Sequence, residues 1–594
     1  MSDTPKFQQK TWSLKDLLPT GAASELDSLF ADLDKMAADF ETTRSLLKPD
    51  ISTEAFLSLV AQQEEMTRKA HILFSYANLS FAADTQDQKA LTLLARIQQF
   101  TAELTNRTMF FSLWWKDLDD VNADRLMAAA GDNRYWLEEM RHFKKYTLSE
   151  PEEIVINLKD VTGSSALNTL YDTITNRYTF NLTINGEVKT MTRGELSVYI
   201  READPNLREQ AYKELYRVYG QDAPILGQIY QNLVRDWRNE QITLRKFVSP
   251  IAVRNLANDV PDEAVETLLH TTEKNAGLFH RFFQLKARWL GMEKLRRYDV
   301  YAPVARSDKT YSFDSAVQMV MDAYQAFDPG IAKLASRVLE EDHFDSEIRR
   351  GKQGGAFCLT ALPNLTPWVL QSFQGKAEDV ATMAHELGHA VHSMLASQHS
   401  IFTFHACLPL AETASTFGEM LLVDHLLKQE TSEAVRRDVL FRQVDDAFAT
   451  ILRQAYFAIF EKEAHEMVAA GASVDELSAG YMANLKTQFG DAVEISDEFK
   501  YEWVSIPHIF NVPFYVYAYS FGQLLVFSLY KQYRQEGEAF KPRYMKILET
   551  GGSQSPDSIL SAAGIDLRQA SFWQGGFDVI DGLVSELEKI PVVR

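Results

Sequence analysis

Arg177-Tyr-Thr-Phe-Asn-Leu-Thr-Ile184, Asn185-Gly186, Glu187-Val-Lys-Thr190 is the strongest short-range strand signal in a chain that otherwise reads mostly with a helical period. β-Formers alternate on both sides of Asn-Gly. That pair suits a type I′ turn, whose two central residues need positive φ, so the spacing predicts a hairpin. Helical patterns lie on both sides of it. Toward the N-terminus, apolar positions recur at three and four in Glu25 to Leu47 (Leu26, Leu29, Phe30, Leu33, Met36), and likewise in Phe56 to Ala70 and Leu91 to Phe111. This predicts an antiparallel helical bundle in the first 140 residues. Toward the C-terminus the period returns in Asn206 to Tyr219, Pro224 to Leu244, and Asp262 to Leu290 after its entry proline Pro261. A second β-prone patch, Gly354-Gly355-Ala356-Phe357-Cys358-Leu359 and then Pro367-Trp-Val-Leu-Gln-Ser-Phe373, predicts a short sheet. The expected fold is mainly α, with a β-hairpin insert marking a boundary between lobes.

Composition narrows the function classes. The 594 residues, 46% hydrophobic and 24% charged, can bury a large core, and the length predicts two or three lobes. With 61 Lys+Arg against 82 Asp+Glu the net charge is −21, which repels phosphate backbones and anionic lipid, so nucleic acid is not an expected partner. Two cysteines, Cys358 and Cys407, make no disulfide framework and fit a reducing cytoplasm. The start, MSDTPKFQQKTWSLKDLLPT, lacks the basic and apolar runs of a signal peptide. Trp503 to Tyr530 carries no formally charged residue and has the length of a membrane span. It also holds Pro507, His508, Asn511, Pro513, Gln523 and several tyrosines, which need partners in hydrocarbon. The expectation is a buried helix lining a cleft, with no stable membrane insertion. The sequence sets no oligomeric state.

The chemistry concentrates in Asp379-Val-Ala-Thr-Met-Ala-His385-Glu386-Leu387-Gly388-His389-Ala-Val-His392-Ser-Met-Leu395. Residues four apart share a helix face, so His385 and His389 can offer nitrogens to one tetrahedral ion, with Glu386 beside them. This is the H-E-x-x-H arrangement of zinc metallopeptidases. Catalytic zinc uses three protein ligands. His392 lies about 10 Å along the axis from His385 by the helical rise, too far to share one ion comfortably. Glu412 is better placed, in a second helical run expected from Pro409 through Val423; Ser415 and Glu419, at plus three and plus seven on the same face, either orient the ligands or are solvated or capping residues.

The pairing of HELGHAVHSML with LAETASTFGE, after a Gly-Ala-Phe-Cys patch and a short apolar strand, resembles oligoendopeptidase F and its relatives among the thimet-oligopeptidase-like zinc peptidases. The resemblance extends over Trp12-Ser-Leu-Lys-Asp-Leu17, Tyr298-Asp-Val-Tyr-Ala-Pro303 and Pro507-His508 through Tyr519. It implies His385, His389 and Glu412 as ligands of one Zn2+ per chain and Glu386 as the base. It implies two helical lobes around a deep substrate channel, with a zincin-type helix beside the short sheet. It divides the chain into an N-terminal helical region (1–115), an oligoendopeptidase F N-terminal-type segment with the hairpin (116–195) and a catalytic zinc metallopeptidase domain (196–594). In Ile506-Pro507-His508 through Tyr519, Tyr515 and Tyr519 share a helix face while Tyr517 points elsewhere. Read alone, these are core aromatics; the resemblance assigns His508, Tyr515 and Tyr519 to stabilise the transition state.

The expected activity is hydrolysis of internal bonds in oligopeptides by metal-activated water with Glu386 as general base. The substrate is expected to lie along an edge strand near Pro367 to Phe373, with Gly354 and Gly355 permitting close approach. The competing reading is a non-catalytic helical peptide-binding or scaffold protein with a structural metal. Such a site closes with four protein ligands, frequently cysteines, and Cys407 lies near Glu412 in sequence.

Overall fold

In the computed structural model, which describes residues 6–304 and 309–592, the hairpin forms where its sequence places it. Strand β1 (Phe180–Ile184) pairs antiparallel with β2 (Glu187–Met191), Phe180 opposite Met191 and Ile184 opposite Glu187. Asn185 and Gly186 both take positive φ, 53° and 83°, as a type I′ turn requires. Helices dominate elsewhere; among the described residues the other strands are β3 (Leu295–Arg296), β4 (Phe344–Asp345), β5 (Ala356–Leu359), β6 (Trp368–Gln371) and β7 (Val493–Glu494), with β3 parallel to β7.

The chain folds into two compact units, each assembled from three segments. The first comprises Met1–Lys144, Asp308–Glu430 and Gln532–Ile565; the second comprises Lys145–Ser307, Thr431–Lys531 and Asp566–Arg594. The chain therefore passes from one to the other before the hairpin, which lies inside the second unit. The first five residues of the quoted N-terminal stretch lie outside the described residues.

In the first unit, helices Ala23–Thr42, Thr53–Ala83 and Gln88–Asp117 pack around Phe30, Leu33, Phe40, Phe56, Phe111 and Trp115. Ser52 and Asp87 cap the second and third by accepting from the amides of Ala55 and Lys89. A three-stranded sheet of order β4-β6-β5 joins this unit, with β6 parallel to β4 and antiparallel to β5. The apolar run Trp368–Gln371 is thus the central strand, buried along its length, and not the edge the sequence suggested. Its neighbours pair its backbone, and its side chains are covered by packed layers, Trp368 and Leu370 clustering with Trp12, Leu17 and Leu79; coverage of both faces is what an unbroken apolar run encodes. The outer strands are β4 and β5. The space beside Gly354 and Gly355 is open, and Gly355 takes a φ of 85° that favours glycine.

In the second unit, Asn206 to Tyr219 and Pro224 onward are one helix, Pro205–Trp237, capped by Asp204 and continuing through Pro224 into a wider turn at Arg238–Leu244. A proline inside a helix costs about 3 kcal/mol; the buried stripe Tyr212, Tyr216, Tyr219, Leu226, Tyr230 and Val234 overrides it. Among the described residues no helix is long and apolar enough to cross a membrane. The uncharged late stretch is divided between the end of a 3-10 segment (Asp497–Ser505), a short helix (Pro507–Asn511) and a helix beginning at Tyr517. Arg297 and Arg453 both reach Glu502 Oε1, at 2.7 and 2.9 Å, and fix the first of these pieces.

Candidate active site

The H-E-x-x-H residues stand on helix Ala377–Leu395. Its first turn is closed by Asp379 Oδ2, which accepts from the amides of Gln374 and Lys376 at 2.9 Å each. Gln371 Nε2 donates to the Asp379 carbonyl at 2.6 Å and Thr360 Oγ1 to Ser393 Oγ at 2.8 Å, so the sheet is tied to the helix near both ends. Helix Ser415–Gln429 packs on it at Gly388, where a Cβ would stand 2.6 Å from both the Ala414 carbonyl oxygen and the Ser415 Cα. Glycine is the residue that allows this approach.

The close packing coincides with a local departure from the expected second helix. The run beginning after Cys407 is helical over Leu408–Ala411, turns through Glu412, Thr413 and Ala414, and resumes at Ser415. The Tyr544 hydroxyl donates to the Thr413 carbonyl at 3.0 Å and holds the turn. Glu412 therefore projects from a turn beside His385 and His389 instead of from a helix face.

His385 Nε2 and His389 Nε2 lie 3.2 Å apart, and Glu412 Oε2 lies 3.3 Å from the first and 3.5 Å from the second. A tetrahedral zinc site with bonds of about 2.0–2.1 Å has donor-to-donor edges of about 3.3–3.4 Å. The three atoms match one face of such a tetrahedron, so the residues fit the metal. Glu419 Oε1 accepts from His385 Nδ1 at 2.6 Å, which leaves the Nε2 lone pair toward Glu412. Ser415 Oγ donates to Glu412 Oε2 at 2.7 Å. Ser415 and Glu419 thus each hydrogen-bond to one member of the triangle, the contact an orienting role requires. Among the described residues the group able to hold an ion here is His385, His389 and Glu412; neither Cys407 nor His392 belongs to it. Neither cysteine is in a disulfide.

The electrostatics favour a cation. Burial pushes His385 down, but the Glu419 hydrogen bond and the charges of Glu419, Glu412 and Glu386 raise it to about 9. Glu386 is 6% exposed, and burial, with Glu412 and Glu419 adding to it against His385, raises its carboxyl to about 7. That is the range in which a carboxylate can act as a general base near neutrality. Burial lowers His389, and lowers His392 to about 4, with His389 and His405 pressing the latter the same way. A cavity of about 380 Å³ opens on these residues, lined also by β5 through Ala356, Phe357 and Cys358 and by His405. Burial and Glu386 push the Cys358 thiol well up, which keeps it protonated. The short sheet expected beside this helix supplies the β5 wall; the sequence reading missed His405, because a cavity lining drawn from separate segments leaves no local pattern.

The second unit brings together the late group. The rings of His508, Tyr515 and Tyr519 lie 6.4, 6.2 and 5.3 Å apart pairwise. Burial, with Tyr515 as hydrogen-bond partner, raises Tyr519 to about 12, and burial followed by Arg453 lowers His508. Tyr517 points away into the core, fully buried, its oxygen accepting from Asn258 Nδ2 at 3.0 Å.

A mainly helical chain with an H-E-x-x-H helix, a carboxylate completing a tetrahedral face and a buried glutamate next to it defines a peptidase of the metal-dependent kind. Residues 198–579 match peptidase family M3 and residues 114–180 match oligopeptidase F; the chain belongs to peptidase family M3 and is a hydrolase of peptide bonds. It is 25% identical over 555 residues to an oligoendopeptidase F homolog of Borreliella burgdorferi, covering 91% of this chain and 92% of that protein. It is 24% identical over 593 residues to oligopeptidase PepF of Bacillus subtilis, covering 98% and 87%. The fold is shared with a putative peptidase from Chlamydophila abortus (TM-score 0.89, 23% identity, 98% of this chain and 100% of that one). It is shared also with oligoendopeptidase-F from Enterococcus faecium (TM-score 0.71, 23% identity, 96% and 99%).

Proposed function

We propose that this chain is a zinc-dependent oligoendopeptidase that cleaves internal bonds of oligopeptides in the cytoplasm, with one zinc held by His385, His389 and Glu412. The observation that carries the reading is the triangle of donor atoms, 3.2 to 3.5 Å on a side, with Glu386 adjacent on the same helix. Zinc held there supplies Lewis-acid polarisation of the scissile carbonyl and acidifies a water. Glu386 accepts the proton of the attacking water on its carboxylate and returns a proton to the leaving amine. Glu419 keeps the proton of His385 on Nδ1, and Ser415 fixes the Glu412 oxygen that completes the triangle. His508, Tyr515 and Tyr519 donate to the oxyanion that develops on the carbonyl. The substrate backbone pairs with the outer strand β5, whose residues line the cavity beside Glu386, so recognition rests on main-chain hydrogen bonds that tolerate varied side chains. The names of the B. burgdorferi and B. subtilis relatives support the oligopeptide class.

The test is cleavage of a quenched fluorescent oligopeptide by purified protein, before and after chelation and zinc return, alongside Glu386→Gln. The expected result is chelator-sensitive cleavage restored by zinc, and a variant that keeps its zinc while kcat falls by about 10²–10⁴. Full activity in Glu386→Gln removes that residue from the mechanism. No cleavage by zinc-loaded wild type across a mixed peptide library returns the metal to a structural role.

A further inference from the structure

The tyrosine pair of the late group stands on a turn that the backbone would not adopt unaided. Between helix Pro507–Asn511 and the helix starting at Tyr517, Phe514 sits at φ 58°, in the left-handed region that a bulky residue avoids. Its side chain is fully buried against the His465 ring, 4.8 Å between centroids. The turn leaves two main-chain groups inside the protein without a helical partner, and a side chain from elsewhere meets each. Arg254 Nε donates to the Pro513 carbonyl at 3.3 Å. Glu461 Oε1, from helix Arg453–Ala469, accepts from the Phe514 amide at 2.9 Å.

Glu461 is otherwise an expensive residue for its position. It is completely buried and its second oxygen has no hydrogen-bond partner among the described residues. Burial raises its carboxyl to about 8, against the pull of the Phe514 amide and Arg254. A buried polar group is retained where it satisfies something, and the hydrogen bond this carboxyl makes is to the turn. The amides of Ala518 and Tyr519 bond back to the carbonyls of Tyr515 and Val516 at 3.1 and 3.2 Å, so both tyrosines move with that turn.

We propose that Glu461 is a positioning residue which, through the Phe514 amide, holds the turn that sets the Tyr515 and Tyr519 hydroxyls for the reaction. The inference rests on the reading that these tyrosines serve the oxyanion. It is tested by two conservative variants that separate reach from the ionisable carboxyl. Glu461→Gln keeps an oxygen at the same reach and removes the ionisable group; Glu461→Asp keeps a carboxyl and draws the oxygen back by about 1.5 Å, one carbon–carbon bond.

With kcat normalised to folded, zinc-loaded enzyme, Glu461→Gln is expected to stay within about twofold of wild type. Glu461→Asp is expected to lose at least about tenfold in kcat with KM within about twofold and zinc content unchanged, because a misplacement of this size disturbs an aligned site. An active Asp variant with an impaired Gln variant assigns the role to the ionisable carboxyl and overturns the proposal, as does full activity in both. Loss in both with a lowered melting temperature marks Glu461 as merely structural and also overturns it. Tyr515→Phe and Tyr519→Phe run alongside. If both leave kcat unchanged, the tyrosine reading falls and this inference with it; if they lose kcat while both Glu461 variants retain it, this inference alone falls.

Discussion

Gly388→Ala is the sharpest test of how the metal triangle is built, since it adds one carbon at the place where two backbones meet. The new Cβ would lie 2.6 Å from the Ala414 oxygen and the Ser415 Cα, both main-chain atoms that no rotamer change can move. Reaching an ordinary contact requires the two segments to part by about 0.8 Å. The segment displaced is the one that holds Glu412 and Ser415, while His385 and His389 stay on the other helix. Metal sites tolerate ligand displacements of about 0.2 Å, so a shift four times larger opens the Glu412 edges of the triangle. Overpacking of this kind costs about 1–3 kcal/mol, which at about 1.4 kcal/mol per decade is a loss of roughly five- to more than a hundredfold in zinc affinity if it is expressed at the site. The assay is competition for zinc against a chromophoric chelator, with circular dichroism and a melting curve to show that the variant is folded. A folded Gly388→Ala protein that binds zinc as tightly as wild type would refute the reasoning, because the helix contact would then not be what fixes Glu412.

Glu419→Gln removes the carboxylate that accepts from His385 Nδ1 and is expected to weaken zinc about 10- to 100-fold, read by the same competition. Cys407→Ser should leave zinc content unchanged, since the ion-holding group contains no cysteine; loss of zinc would support a structural metal. Glu461 gives the second unit a pH dependence. Its folded pKa of about 8 lies above the ordinary 4.5, so between these values the folded state holds a proton that the unfolded state has released, and stability falls as pH rises through that window. Wild type should therefore lose more melting temperature than Glu461→Gln between pH 5 and pH 8, and parallel curves would contradict the raised pKa.

What the sequence made legible follows from the range over which each feature is encoded. His385, Glu386 and His389 span one helical turn, so spacing was enough to put both imidazoles on one helix face; Ser415 and Glu419 were expected on a helix continuous with Glu412, which the turn at 412–414 interrupts. The hairpin was equally local, since Asn185 and Gly186 announce positive φ by residue type. The strand order β4-β6-β5 was not local. An apolar run from Trp368 could be an edge or a centre until its neighbours were known, because its unbroken burial reports coverage of both faces and not its place in the strand order. Pro224 misled for a related reason: local propensity broke the helix where a stripe of buried tyrosines carries it through. The Gly388 contact and the bond from Glu461 to a residue 53 positions away involve partners whose proximity exists only in the folded chain.

The first-unit cluster also shows why a peptidase site of this composition has to be enclosed by rigid elements. Glu386, Glu412 and Glu419 are gathered around two imidazoles, and burial alone already pushes Glu386 toward its neutral form. Like charges at this density repel one another unless a positive charge stands among them, and the raised His385 is the protein's own response to that field. A dication answers the same demand with a fixed position and two charges, which is why the carboxylates can be held close enough to be useful. The restraint that holds them is mechanical: Gly388 sets the helix spacing, Tyr544 holds the turn at Thr413, and the sheet anchors the helix through Gln371 and Thr360. Repulsion is thereby carried by backbone contacts instead of by side-chain retreat, and the triangle keeps the dimensions of a metal site.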